Sequence, residues 1–468
     1  MLSSLKLLSN LIAESVDKID QKCAAQCLPF PELDELFSFQ SEAIRNDADV
    51  AEAIHVIAAA ATQLIATARA PITTLSVVAH QWDVPACLRV ANDANVAEIL
   101  RDVGPEGAHI DDIAKRNGMN AARLGRVLRL LASHHIFREV SPDVFANNRI
   151  SSLLDSGKPI QELEKNPQAK YTETSLINTF VSWGTGEFFK SGAFLSQTLR
   201  DPVCGHSDEA NQSAICKAFD FDVSFFEWLE RPENKDVLSR FSLLMRATTD
   251  LLPDAAILKG FDFGSLPDGA LVVDVAGGIG SLELVLAKTF PKLNIVVQDR
   301  PQLVSDAEPY WKSNLPEALK SGRVKLVAHD MFTPQPDLGS TVDVFVLRGI
   351  LHDWANSYAI QILSHLRAAA GPQTKLVVID IILESPCRDT ETKTIKGCEP
   401  RPVPEPLLAN MGAANTVAYS MDVMMMGFGN GQERTVRHFV DIMNEAGWEL
   451  KEVISLGSWR PHLIAVPV

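Results

Sequence analysis

Leu271-Val-Val-Asp-Val-Ala-Gly-Gly-Ile-Gly-Ser281, continued by Leu282-Glu-Leu-Val-Leu-Ala, is the stretch whose reading decides the fold. An unbroken Leu/Val run is what a parallel strand buried on both faces requires. Gly277, Gly278 and Gly280 then allow a sharp turn and a close approach of ligand to backbone. The apolar spacing after Ser281 begins a helix. Asp274 falls near the strand's carboxyl end, where open α/β sheets bind their ligands. A second strand, Asn294-Ile-Val-Val-Gln, ends in Asp299, placed to hydrogen-bond ribose hydroxyls. The pattern reads as a site for an adenosine-bearing cofactor.

Two such cofactors compete. A dinucleotide site wants G-x-G-x-x-G with its pyrophosphate at the helix N-terminus. Gly278 and Gly280 supply two of those glycines, but Glu283 stands at the third position and brings a negative charge into the first helical turn. S-adenosylmethionine carries no phosphate and needs only room beside the turn, so the turn favours it.

Outward from this stretch, the chain of 468 residues is long enough for two or three domains. A net charge of −16 argues against a general nucleic-acid or anionic-membrane surface. The seven cysteines are scattered without a CxxC pair, which fits reduced thiols and indicates no zinc site or disulfide framework. The N-terminus lacks a long apolar core before Glu14 and Asp17, so a signal peptide is not expected and the expected compartment is the cytoplasm. The most apolar helical stretch, Val50 to Ala68, is interrupted by Glu52, His55 and Gln63 and is not read as a membrane span.

Residues 1–75 have helical apolar spacing, expected to bury against a second copy or within the chain. Residues 76–155 read as a helix over Thr73 to Leu88, a helix-turn-helix around Gly118, and a hairpin of 136–140 with 144–148, which is a winged-helix pattern. Arg123, Arg126 and Arg129 fall on one face of its second helix, and the solvated face of an amphipathic helix is favoured over DNA contact. Residues 156–254 are helical and aromatic-rich; Phe241 and Met245 there are expected on the substrate side. From 255 onward strands alternate with helices, as in a doubly wound sheet, with the proline-rich stretch 385–415 read as an inserted surface loop.

The sharpest chemical signal is Leu347-Arg-Gly-Ile-Leu-His-Asp-Trp354. It follows a strand, so His352 lies past a carboxyl end and faces the same crevice as Gly278. Histidine is the side chain best suited to accept a proton near neutral pH.

Asp274-Val-Ala-Gly-Gly-Ile-Gly, Asp299-Arg-Pro, His329-Asp-Met-Phe, His352-Asp-Trp and Gly431-Gln-Glu-Arg-Thr occur in one order and spacing. In this the chain resembles the S-adenosylmethionine-dependent O-methyltransferases related to plant caffeic acid O-methyltransferases, in particular the fungal branch, whose members methylate phenols and polyketide-type metabolites. The resemblance covers roughly residues 75 to 468 and is strongest after 270. It implies an α/β, Rossmann-like catalytic domain behind an N-terminal all-α, winged-helix dimerisation domain, and hence a homodimer. It implies Gly277 and Gly278 beside the methionine part of the cofactor, Asp299 on its ribose, Asp330 and Met331 flanking adenine, and Arg348 where many relatives have lysine. His352 would be the general base on a small phenolic substrate, bracketed by Asp380 and Glu433, with Met425 packing against the substrate and no metal required.

Such chemistry suits these residue types. The protein must align oxygen, methyl and sulfur and remove a proton from a phenol of pKa about 10. A neutral His352 with its other nitrogen held by a carboxylate is expected to do so. Four features depart from the family pattern, among them a segment between Met425 and Glu433 one residue shorter than in plant members and the 385–415 insertion, which has no counterpart there. Ala276 replaces a glycine, from which a slightly tighter turn is expected, and Asp380 replaces a glutamate, which shortens its reach by one methylene. A nicotinamide oxidoreductase is the first rival, but no tyrosine here is followed four residues later by lysine. A winged-helix regulator is the second, opposed by the negative charge and the intact His352, Asp380 and Glu433 set.

Overall fold

The chain folds as two units in a computed structural model that describes residues 2–172, 174, 177–250, 258–389, 392, 394–399, 401–455 and 460–468. One unit comprises Met1–Ala193, Phe226–Thr249 and Val403–Asn415; the other comprises Phe194–Phe225, Asp250–Pro402 and Thr416–Val468. Parts of the expected 156–254 connector and 385–415 insertion lie outside the described residues.

In the first unit the helix Ser4–Gln26 packs along Ala48–Ala68, whose N-terminus is capped by Asp47 accepting the Asp49 and Val50 N–H groups. Leu8, Ala59 and Ala60 meet Leu407 and Met411, and Gln63 Nε2 donates to the Pro406 carbonyl at 2.8 Å. The second part of the stretch expected as a surface loop is therefore built into this helical core. The helix expected over Thr73 to Leu88 is two helices, Pro71–His80 and Asp83–Asp93, because Pro85 has no N–H to give the Gln81 carbonyl. Pro71–His80 buries none of its residues.

The winged-helix pattern is present. Helices Ile110–Asn117 and Ala121–Ser133, capped by His109 and Asn120, enclose Ile113, Leu124, Leu128 and Leu131 with Phe137 and Phe145. Strands β1 (Ala108–His109), β2 (Arg138–Ser141) and β3 (Val144–Ala146) form a sheet of order β1-β3-β2. Arg123, Arg126 and Arg129 are exposed, and Arg129 pairs with Glu139 and Asp143 of the hairpin.

The second unit holds strands β4 (Leu271–Val275), β5 (Asn294–Asp299), β6 (Val324–Ala328), β7 (Val342–Arg348), β8 (Ala370–Ile379), β9 (Trp448–Ile454) and β10 (His462–Pro467). Their order is β6-β5-β4-β7-β8-β10-β9, with the first five parallel and β10 antiparallel to both neighbours. Every residue of β4 is buried, as its Leu/Val run requires. Leu271, Val273 and Val275 enter the core under helices Asn356–Ala369 and Val436–Glu445, while Val272 enters the core under Ser281–Thr289. By the two-residue alternation of a strand, Asp274 shares the face of Val272. Edge strand β9 is covered where Val453 N–H donates to the Lys396 carbonyl at 2.8 Å, so the first part of the 385–415 stretch blunts an exposed edge. The chain leaves β4 toward β5 on one side and returns as β7 on the other, which puts the ligand crevice at the carboxyl ends of β4 and β7.

At that crevice Ala276 adopts φ +59°, the left-handed region. The departure from glycine is thus more than a tighter turn: a Cβ there costs roughly 1–2 kcal/mol. Ala276→Gly is expected to raise the unfolding free energy by up to ~1 kcal/mol, since the strain relieved exceeds the entropy added to the unfolded chain. A urea denaturation midpoint below that of the wild type contradicts the strained turn.

Candidate active site

His352 sits in a short 3-10 turn, Leu351–Asp353, just past the end of β7. The loop following helix Thr416–Gly429 clasps this turn. Gln432 N–H donates to the His352 carbonyl at 2.9 Å. The fully buried Arg434 guanidinium donates to the carbonyls of Leu351 at 2.6 Å and Trp354 at 2.7 Å and to Asn356 Oδ1 at 3.0 Å. Between these anchors Glu433 Oε1 lies 2.8 Å from His352 Nδ1, and the Glu433 N–H is held by Asp422 Oδ1 at 2.9 Å.

Two more carboxylates surround the ring. Asp353 Oδ1 is 3.5 Å from His352 Nε2. Asp380, just past β8, is fully buried, and neither of its oxygens has a hydrogen-bond partner among the described residues. Of the two acids expected to bracket the histidine, Glu433 makes the hydrogen bond and Asp380 acts through its charge, consistent with its shorter side chain. Burial alone would lower the His352 pKa, but the Asp353 charge, the Glu433 hydrogen bond and the Asp380 charge outweigh it and raise it to about 9. Burial pushes Asp380 up to about 6, against the pull of His352 and Arg460. These acids therefore favour the imidazolium form of the ring. The expectation of a neutral ring did not weigh three acids from separate segments acting on it together.

The β4–β5 side of the crevice is organised by Asp299. Its Oδ2 accepts the Gly278 N–H and its Oδ1 the Arg300 N–H, each at 2.7 Å, while its carbonyl accepts the His329 N–H at 2.9 Å. These bonds bring the glycine turn, through the carboxylate, and the 329–331 segment, through the backbone carbonyl, to the same residue. Gly278 has φ +62°, and a Cβ there would meet nothing within 4 Å, so open space lies beside the turn. Asp330 is exposed and accepts the Phe332 N–H at 3.0 Å; Met331 is half-buried against the sheet core. Arg348, at the end of β7, is half-buried, and its charge acts on Asp274 and Glu283. A side-chain-free turn beside open space, with a carboxylate keeping spare lone pairs for two vicinal hydroxyls, fits S-adenosylmethionine. Among the described residues no three His, Cys, Asp or Glu side chains are arranged to hold a metal ion.

Met425 is buried beside Ile381 and Met421, on the helix whose following loop carries Glu433. Phe241 and Met245 belong to the first unit, on helix Lys235–Asp250. There Phe241 packs edge-on against Trp183, with ring centroids 5.4 Å apart, and Met245 is exposed. Sequence reasoning assigned no role to Asp353 or Arg434. Both stand inside quoted motifs, and an acid adjoining a histidine in a tight turn was the available signal for the first.

An O-methyltransferase dimerisation domain is matched by residues 78–156 and an O-methyltransferase domain by residues 198–398. The chain is 84% identical to an O-methyltransferase of Armillaria gallica over 100% of both chains. It is 39% identical to 4-O-methyltransferase 1 of Phanerochaete chrysosporium, covering 96% of this chain and 95% of that one. The mitomycin 7-O-methyltransferase MmcR shares its fold, with a TM-score of 0.60 and 21% identity over 86% of this chain and 99% of that one. The chain belongs to the S-adenosylmethionine-dependent O-methyltransferases: a Rossmann-like catalytic fold joined to an N-terminal helical dimerisation domain.

Proposed function

We propose that His352 is the general base for methyl transfer to a phenolic hydroxyl of a small aromatic acceptor, in a reaction that uses no metal. The observation that carries this reading is the buried His352–Glu433 contact at 2.8 Å within a ring of acids at the mouth of β7. With Nδ1 held by Glu433, Nε2 is the nitrogen left to accept the hydroxyl proton. A phenol has a pKa of about 10. An imidazolium pKa of about 9 makes proton transfer from such a group close to balanced. S-adenosylmethionine supplies the methyl group as a sulfonium electrophile. Gly277 and Gly278 are assigned to its methionine end, Asp299 to its ribose, Asp330 and Met331 to adenine, and Arg348 to a further contact. Met425 is assigned to the acceptor, for which a polarisable apolar wall suits a flat ring.

The protein is further read as a homodimer. The matched dimerisation domain supports this, as do Ile72, Leu75, Val78 and Trp82, which leave an apolar stripe exposed on and just after Pro71–His80.

His352→Ala is expected to lower kcat by about 10²–10⁴-fold while S-adenosylhomocysteine binding is kept, measured by steady-state kinetics and titration calorimetry. Unchanged turnover removes the base assignment. Because the ring must be neutral to accept a proton, kcat/KM with a simple phenol rises with pH and levels off through about 9. Glu433→Gln removes a charge that favours the imidazolium, so the rising limb moves to lower pH and kcat falls; a limb that stays in place contradicts the role of Glu433. Leu75→Asp combined with Trp82→Asp is expected to convert a dimer to a monomer in sedimentation velocity, and a wild type that sediments as a monomer refutes the dimer.

A further inference from the structure

Glu283 has no part in the chemistry above, yet it is one of the most unusual residues of the crevice. It is fully buried in the first turn of Ser281–Thr289, and Asp274 of β4, 2% exposed, is within hydrogen-bond reach of it. Both Glu283 oxygens and Asp274 Oδ1 are buried without a hydrogen-bond donor among the described residues. Two ionised carboxylates are acceptors only, so as a pair of anions they could not bond to each other. One shared proton turns one of them into a donor and satisfies the contact. Like charges this close, in a site out of water, do not both ionise.

The surroundings sharpen the point. Burial drives Asp274 well above the usual carboxylate range and raises Glu283 as well; Arg348 at the end of β7 opposes this for both, and Asp299 at the end of β5 reinforces it for Asp274. Asp274 also lies against the glycine turn: a Cβ at Gly277 would collide with its carboxylate.

We propose that Asp274 and Glu283 hold a single proton between them under Gly277, and that binding of the ammonium group of the cofactor's zwitterionic amino-acid end expels this proton to solvent. Glu283 thereby makes cofactor affinity depend on pH. The inference rests on the assignment of Gly277 and Gly278 to the methionine end of the cofactor. A cation brought over the turn favours the fully ionised pair, and the O–H bond of the shared proton breaks to a buffer base. No other group need change its state.

The test is titration calorimetry of the full chain with S-adenosylhomocysteine at pH 7 in buffers of different ionisation enthalpy. The wild type is expected to release about one proton per ligand bound, with affinity tightening by about tenfold per pH unit on the acid side. Glu283→Gln keeps the shape and offers Asp274 an amide donor, so proton release falls to near zero and affinity becomes flat with pH. Asp274→Asn serves as the second variant, with the same expectation, should the first fail to fold. Equal proton release in wild type and folded variants, or none in the wild type, overturns the proposal. Failure of the wild type to bind S-adenosylhomocysteine instead overturns the cofactor-site assignment beneath it.

Discussion

The arrangement depends on keeping a buried imidazole ring next to a buried carboxylate. Glu433 is fully enclosed, and an ionised carboxylate removed from water is costly unless it is hydrogen-bonded and paired. His352 meets both needs at Oε1, 2.8 Å away, while Oε2 has no hydrogen-bond partner among the described residues, and the surrounding architecture serves to hold the two side chains in register. Arg434 ties the loop of Glu433 to the carbonyls of Leu351 and Trp354, on either side of the histidine. Gln432 adds the bond to His352 itself. Two segments 81 residues apart in sequence thus become one rigid site.

The same physics recurs across the crevice with the opposite solution. Around His352 the acids are compensated by a proton on the ring; at Asp274 and Glu283 no ring is available, and a proton between the carboxyls takes that place. Arg348, at the end of β7, couples electrostatically to the second group and to Arg460, which in turn acts on Asp353 and Asp380. The carboxyl ends of β4, β7 and β8 therefore carry a connected charge system, and its protonation state is what a donor and an acceptor must meet.

Much of this was readable from residue order. Burial on both faces dictates an unbroken apolar strand, so Leu271 to Val275 announced β4, and the glycines after it announced the turn. His352 stood out because it follows a strand end directly. What escaped the reading depends on distance or conformation. The left-handed Ala276 is a backbone state that no residue type reveals. Whether Asp380 or Glu433 holds the ring turns on one methylene. The charge of His352 is a sum over acids brought together from three places in the chain. Leu407 and Met411, in a proline-rich stretch without periodicity, gave no sign that they complete a helical core.

The measurement that bears most directly on the central claim is the titration of His352 by NMR, with ¹³C- and ¹⁵N-labelled histidine in the full protein and the His352→Ala spectrum used for assignment. A midpoint near 9, with Nδ1 still protonated in the neutral form, is the result expected of a base clamped by Glu433 among buried acids. A midpoint at the ordinary value of about 6.5 contradicts the account, because the surrounding carboxylates would then not act on the ring.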